Sequence, residues 1–282
     1  MIEYISFGSG SCGNCSYLSN GKDAVLIDAG VGIRRLKKNI RAYGIKTNLL
    51  RAILITHDHA DHIKAAAQVA AEYNIGVYAT RKIHDGMRHN NHTMRKVDAD
   101  RQRDVEADVP FNIGSLNITA FPLPHDSTEN MGYSIATDDG VFTIMTDVGA
   151  PTDNVRKYIG MSNYLVIEAN YDEQMLQMGP YPAYLKQRIV SGMGHLSNKQ
   201  AAEVLADSFH DGLRAVWLCH LSEENNHPEL ARKTVEMVLQ DRQLMKSDFM
   251  LEVLRRGLPT GPWIFKGGDY VKETDMAEGG TL

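Results

Sequence analysis

Apolar and polar positions along the chain sort into two β-rich blocks, each followed by segments of helical period. Short apolar runs set off by Gly, Asn and Asp predict strands over 2–7, 16–19 and 24–28, with GSGSCGN and NGKD as the turns. Over 33–43 apolar residues recur at helical spacing while Arg34, Arg35, Lys37, Lys38 and Arg41 point outward, which predicts a helix. RAILIT at 51–56 predicts a buried strand running into a histidine cluster. IKAAAQVAAEY at 63–73 predicts an amphipathic helix, and 75–79 another strand. The polar stretch 81–108 reads as helix and loop. A second β-rich block predicts strands at 111–113, 116–123, 132–137 and 141–146, with tight turns at 112–115 and 138–140. Beyond it, strands at 164–168, 214–219 and 249–255 alternate with helices at 182–191, 198–210 and 228–240. There is no internal repeat and no linker. The pattern implies one α/β domain over 1–266, sheets packed inside helices, and a flexible Gly- and charge-rich tail over 267–282.

Composition changes this picture little. The chain has 282 residues, 43% hydrophobic and 23% charged, as in ordinary globular proteins. No apolar run approaches the ~18 residues of a membrane span, and the opening MIEYISFGSG lacks the basic start of a signal peptide. A membrane protein, a secreted precursor, a coiled coil and a disordered chain are therefore not expected. The net charge of −5 argues against coating nucleic acid by bulk charge, but leaves room for a local basic groove. Three cysteines, Cys12, Cys15 and Cys219, are too few and odd in number for a disulfide scaffold, so a reducing cytoplasm is the expected location. Cys12-x-x-Cys15 has no second pair to complete a zinc or redox site.

Thr56-His57-Asp58-His59-Ala60-Asp61-His62 carries the strongest chemical signal. It lies between an apolar strand and an amphipathic helix, and five of its seven residues are potential metal ligands. Imidazole and carboxylate donors suit Zn, Fe or Mn. Asp28, His125, Asp147 and His220 each stand at or just past the C-terminal end of a predicted strand, and residues so placed can converge on one cleft. A lone strand-end Asp is more often a turn former; the shared position is what counts.

THDHADH, with Asp28 upstream and His125, Asp147 and His220 downstream in that order, resembles the metallo-β-lactamase superfamily over about residues 2–265. The resemblance implies a four-layer αββα sandwich with a two-metal site at one edge. His57, His59 and His125 would hold one divalent ion, Asp61, His62 and His220 the other, and Asp147 would bridge them. Asp28 would brace a ligand from behind. Class B β-lactamases place Cys where Asp147 stands, so the ligand set is more similar to the glyoxalase II and phosphodiesterase branches. In that reading, a hydroxide held between the ions and oriented by Asp61 attacks phosphorus.

His195, in SGMGHLSN before a predicted helix, resembles the extra histidine of tRNase Z and related nucleases, which serves the scissile phosphate or the departing oxygen. The segments SGSCGNC, GHLSN and HLSEENNHP resemble the YycJ/WalJ family, described as 5′→3′ exonucleases on double-stranded DNA linked to mismatch repair. The resemblance implies a binuclear phosphodiesterase, with Ser9, Ser11 and Asn14 in one loop and Ser222, Asn225 and Asn226 in another as candidate binders of a terminal 5′-phosphate. The alternative is a small-molecule hydrolase, a glyoxalase II-like thioesterase or a cyclic phosphodiesterase. A non-catalytic metal protein is the third reading. Two basic stretches could track a nucleic-acid backbone: one around Arg81, Lys82, Arg88, Arg95 and Lys96, the other along Arg34–Arg41. His84, His89, His92, His210 and His227 read as solvated or core-edge residues.

Overall fold

The computed structural model describes residues 1–271. Strands β1 (Ile2–Gly8), β2 (Cys15–Ser19) and β3 (Ala24–Ile27) form an antiparallel meander. Crossover helices then make the sheet parallel: α1 (Ile33–Ala42) leads to β4 (Leu50–Leu54), α2 (Ala60–Ile63) and α3 (Ala66–Tyr73) to β5 (Gly76–Ala79), and α4 (Arg81–His89) to β6 (Gln102–Asp104). The second sheet repeats the plan. Antiparallel β7 (Phe111–Ile113), β8 (Leu116–Pro122), β9 (Met131–Thr137) and β10 (Gly140–Met145) come first. Then α5 (Asp153–Ile159) leads to β11 (Tyr164–Glu168), and α6 (Glu173–Met178), α7 (Ala183–Val190) and α8 (Asn198–Asp207) lead to β12 (Ala215–Cys219). Helix α9 (Pro228–Asp241) leads to β13 (Met250–Val253). The chain finally returns to the first sheet with β14 (Thr260–Lys266) beside β1 and β15 (Asp269–Val271) at its edge.

Alternation of side chains holds the layers together. Along β11, Tyr164 and Val166 enter the core between the sheets, while Leu165 and Ile167 enter the core under α5, α8 and α9; Trp217 and Leu218 divide likewise on β12. These parallel strands are buried on both faces, which is why they read as continuous apolar runs. Between the sheets Tyr4 lies 4.9 Å from Phe142, 4.9 Å from Trp217 and 5.6 Å from Trp263, ring centre to ring centre. Leu36 and Ile40 of α1, Val69 of α3 and Ile83 of α4 pack on the other face of the first sheet, completing the four-layer αββα sandwich.

Several elements depart from the sequence pattern. The helix expected over 63–73 is broken: Ala29 donates its N–H to His62 O at 2.7 Å and accepts from Ala65 N at 2.7 Å, so the end of β3 wedges into the helix. Strands β6 and β14 and helices α5 and α6 are too short or too interrupted to show a period; Gly261 and Pro262 break the pattern of β14. Asp269–Val271, which the sequence pattern places in the tail, form a paired edge strand, while 272–282 lie outside the described residues. No helix among the described residues is long and apolar enough to cross a membrane.

Candidate metal centre

The loop after β4 concentrates donors because the chain turns directly from a buried strand into α2, so His57, His59, Asp61 and His62 arise within six residues. Asp28, one residue past β3, braces it. Thr56 donates N–H and Oγ1–H to Asp28 Oδ1 at 2.9 and 3.1 Å, and His62 Nδ1 stands 2.7 Å from Asp28 Oδ2. A Cβ on Gly30 would fall 1.5 Å from the Asp61 carbonyl oxygen, so only glycine lets this turn come so close. Asp58 turns away from the cluster and accepts from Thr128 N and Oγ1 at 3.2 and 2.6 Å.

Strand ends of the second sheet supply the rest. His125 follows β8, Asp147 follows β10, Glu168 closes β11 and His220 follows β12. Asp28, Asp147 and His220 have φ of 61°, 57° and 55°. This left-handed backbone, costing of order 1–3 kcal/mol at a non-glycine residue, turns each side chain off its strand axis toward the edge of the sandwich. Donor atoms within 4.8 Å of one another form four overlapping groups: His57, His59 and His125; Asp61, His62 and His220; His57, His62 and Asp147; and Asp147, Glu168, His195 and His220. Asp147 belongs to two of them and also neighbours His125, its Oδ2 3.2 Å from His62 Nε2 and its Oδ1 3.2 Å from His220 Nδ1 and 3.7 Å from His125 Nε2.

The imidazoles are oriented from behind. Nδ1 of His57 bonds Thr56 Oγ1 (3.0 Å), Nδ1 of His125 bonds the Gly194 carbonyl (3.0 Å) and Nδ1 of His220 bonds Glu168 Oε1 (2.9 Å). Nε2 of these same three residues is buried with no hydrogen-bond partner. A buried polar atom left unpaired costs about 1–3 kcal/mol, and a cation at the centre would accept these lone pairs. The donor set fits divalent metal binding.

Electrostatics divides the histidines. Burial pushes His57 well below the usual imidazole value and lowers His125. Burial also opposes the cations of His62, His220 and His195, but carboxylates prevail. Asp28, Asp61 and Asp147 hold His62 well above its usual value, Asp147, Asp61 and Glu168 raise His220 to about 10, and Glu168 raises His195. Asp61, Asp147 and Glu168 are in turn held low against burial by these imidazoles.

Glu168 is the residue the sequence reading passed over. Fully buried, it accepts from His195 Nδ1 (2.8 Å), His220 Nδ1 (2.9 Å), Val148 N (2.8 Å) and Leu196 N (3.2 Å). Its signal was available: a titratable residue closing a buried strand, as at Asp28 and Asp147. His195 itself precedes α8, whose N-cap is Ser197 in a capping box with Gln200. Its ring centre is 5.2 Å from that of His125 and 5.4 Å from that of His220.

The candidate phosphate-binding residues separate. Ser11 and Ser222 line a cleft of about 490 Å³ together with His195 and His220. Asn14, Asn225 and Asn226 do not; their side chains are buried, and Asn225 Oδ1 is left without a hydrogen-bond partner. Asn14 Oδ1 accepts from Gly10 N (2.7 Å), and its Nδ2 lies 2.9 Å from His62 Nε2 and 3.2 Å from Asp61 Oδ2. Asn226 Nδ2 donates to the Ala169 and Asn170 carbonyls at 2.9 and 3.0 Å, and Asn225 Nδ2 donates to Ser222 Oγ at 3.3 Å. Ser9 is also buried, its Oγ accepting from His220 N at 2.9 Å. Cys12 is exposed and Cys15 buried, both unpaired thiols.

Of the two basic stretches, the one on α4 is largely neutralised. Arg81 pairs with Asp85 and Asp104, Lys82 with Glu129 and Arg88 with Asp85, while Lys96 donates to Thr93 Oγ1 and to main-chain carbonyls. On α1, Arg34, Lys38 and Arg41 follow one exposed helical stripe.

Known proteins resemble this chain in sequence and in fold. Residues 23–220 match the family model described as a beta-lactamase superfamily domain. The exodeoxyribonuclease YycJ of Bacillus anthracis is 32% identical over 241 residues, 86% of this chain and 90% of that one. The exodeoxyribonuclease WalJ of Streptococcus pneumoniae serotype 2 is 35% identical over 234 residues, 83% of this chain and 87% of that one. The crystal structure of the metallo-β-lactamase-fold protein YhfI from Bacillus subtilis superposes with a TM-score of 0.66 at 16% identity, over 92% of this chain and 99% of that one, a likeness of fold.

Proposed function

The chain belongs to the metallo-β-lactamase superfamily of metal-dependent hydrolases, and from that membership we propose that it is a binuclear phosphodiesterase, a cytoplasmic 5′-to-3′ exonuclease of double-stranded DNA. His57, His59 and His125 would hold one divalent ion and Asp61, His62 and His220 the other, with Asp147 available to both. Two relatives that carry the name exodeoxyribonuclease support the choice of DNA. Zn, Mn and Fe all suit the donors.

Bound divalent ions supply Lewis acidity toward the phosphate oxygens. The chain's own residues do the rest. Asp61, a quarter exposed and 3.8 Å from His220 of the cleft, accepts a hydrogen bond from the nucleophilic water and orients it. His195 is one-fifth exposed on the same cleft, and Glu168 holds its Nδ1 so that Nε2 is free to face substrate. Against the opposing effect of burial, Glu168 raises the pKa of His195 and so favours the protonated form that can give a proton to the departing oxygen.

The observation that carries this reading is the position of His195, an additional acid in contact with the second-sheet carboxylate that also holds His220. His195→Ala is expected to lower turnover of duplex DNA about 10²- to 10⁴-fold while metal analysis still finds two ions per chain. Unchanged turnover would remove His195 from the reaction. A parallel assay offers bis-p-nitrophenyl phosphate, a thioester and 5′-phosphorylated duplex DNA; hydrolysis of the thioester alone would select the small-molecule hydrolase.

A further inference from the structure

We propose that Arg256 forms the terminal-phosphate subsite of the cleft, with Glu223 as the internal anion that a 5′-phosphate displaces. This rests on the exonuclease reading above and adds the group that reads the end of the strand. Neither serine loop carries a cation at the cleft, and the chain supplies one from the β13–β14 connection. Arg256 Nη1 donates to the Leu221 carbonyl at 3.3 Å, which ties the guanidinium to the residue directly after His220. Its Nη2 donates to Ser11 Oγ at 3.4 Å and to Glu223 Oε2 at 3.0 Å. The Arg256 carbonyl accepts from Ser9 N at 3.0 Å, so the Ser9–Ser11 turn and the arginine are fastened together.

The guanidinium is thus built in place: its side chain is 22% exposed, whereas Glu223 is 75% exposed and free to swing outward. Three of its five N–H groups are engaged as described, and departure of Glu223 frees an Nη2–H in addition to the two not engaged, so that a planar guanidinium can meet a phosphate. Ser11, Ser222, His195, His220 and Arg256 line one cleft, and Arg256, Ser222 and Glu223 also form the wall shared with an adjoining cavity of about 670 Å³. A strand end entering the metal centre would set its scissile phosphate at the histidines and its outer phosphate at Arg256, Ser11 and Ser222. The remaining carboxylates of the cleft do not attract that phosphate. Arg188, the other cation lining the cleft, is paired with Asp126, and Glu224 opposes an anion, so Arg256 is the cation fastened beside Ser11 and Leu221.

The test is the ratio of kcat/KM for 5′-phosphorylated over 5′-hydroxyl duplexes of the same sequence, a quantity that a general lesion does not alter because both arms fall together. The native protein is expected to prefer the phosphorylated end about tenfold or more, the scale of hydrogen bonds to a charged group. Arg256→Gln should bring the ratio close to one and Arg256→Lys should keep part of it. Glu223→Gln, which removes the competing anion, should raise the ratio. The opposite signs of R256Q and E223Q exclude misfolding as a common cause. A native ratio of one, or an R256Q ratio equal to the native one, overturns the subsite while leaving the exonuclease reading intact. Digestion of neither duplex overturns that reading instead.

Discussion

Two kinds of histidine meet at the candidate metal centre, and they differ in what stands behind them. His57 and His125 lean on neutral oxygens, the Thr56 hydroxyl and the Gly194 carbonyl. His62 and His220 lean on carboxylates, Asp28 and Glu168. Burial lowers the first two, whereas carboxylates raise the second two against burial. A neutral oxygen fixes a ring without adding charge; a carboxylate fixes it and also makes it a stronger base. The two groups of ligands therefore meet a cation in different protonation states, although they surround one shared aspartate.

The largest expected consequence is in the pH dependence of metal binding. The folded-state pKa of His220 is raised to about 10 by its carboxylates, so without metal it is protonated at pH 7 and must lose a proton to become a ligand, whereas the Asn14 amide N–H already faces Nε2 of His62 as an acceptor. His57 and His125 are shifted the other way and are already neutral. The ion on the carboxylate-backed side should then release about one proton, so its affinity should fall about tenfold per unit as pH drops from 8 toward 6. The ion on the neutral side should change much less. Calorimetric titration in buffers of different ionisation enthalpy reads the protons directly, and equal proton release for both ions would erase the distinction.

Next in size is removal of a carboxylate. Glu168→Gln keeps the shape but withdraws the charge that His220 and His195 share. Loss of such a partner typically costs 10- to 100-fold in metal affinity or activity. The loss should fall on the His62–His220 ion alone, read by competition with a chelator. A matching loss at the His57–His125 ion would mean that the two sides act as one.

How much of this was legible follows from how local each part is. His57, His59, Asp61 and His62 lie within six residues, so the run itself declares a ligand cluster, and the strand ends at Asp28, Asp147 and His220 stand out because buried apolar runs stop at them. The layer architecture followed from the alternation of β-rich blocks with helices and from the resemblance those residues carry. Glu168 occupies the same kind of position, but a glutamate within a strand reads as ordinary until two histidines are seen to converge on it. Arg256 reaches the cleft through a contact with Leu221, 35 residues away, which no local pattern encodes. Asn14, Asn225 and Asn226 are candidate phosphate binders only through the resemblance of their segments; the fold buries all three, Asn14 against His62 and Asp61 and Asn226 on main-chain carbonyls. In the same way the charges of α4 are spent on Asp85, Asp104 and Glu129, partners the linear run of cations does not show.

The smallest effect is expected on the neutral side, at Thr56. Its hydroxyl lies 3.0 Å from His57 Nδ1, 2.9 Å from Asp28 Oδ2 and 3.3 Å from His62 Nδ1, so it touches both kinds of histidine. Thr56→Val is nearly the same shape and removes that oxygen. His57 then loses its only backing acceptor shown by the geometry, whereas Asp28 keeps the Thr56 N–H and its bond to His62. One neutral hydrogen bond contributes about 0.5–1.5 kcal/mol net, so affinity for the His57–His125 ion should weaken about two- to tenfold. Thr56→Ser, which retains the hydroxyl, should stay near the native value. If Thr56→Val instead weakened its ion as much as Glu168→Gln weakens the other, a neutral oxygen would be orienting the ring as effectively as a carboxylate. Charge behind the imidazole would then not be what separates the two sides.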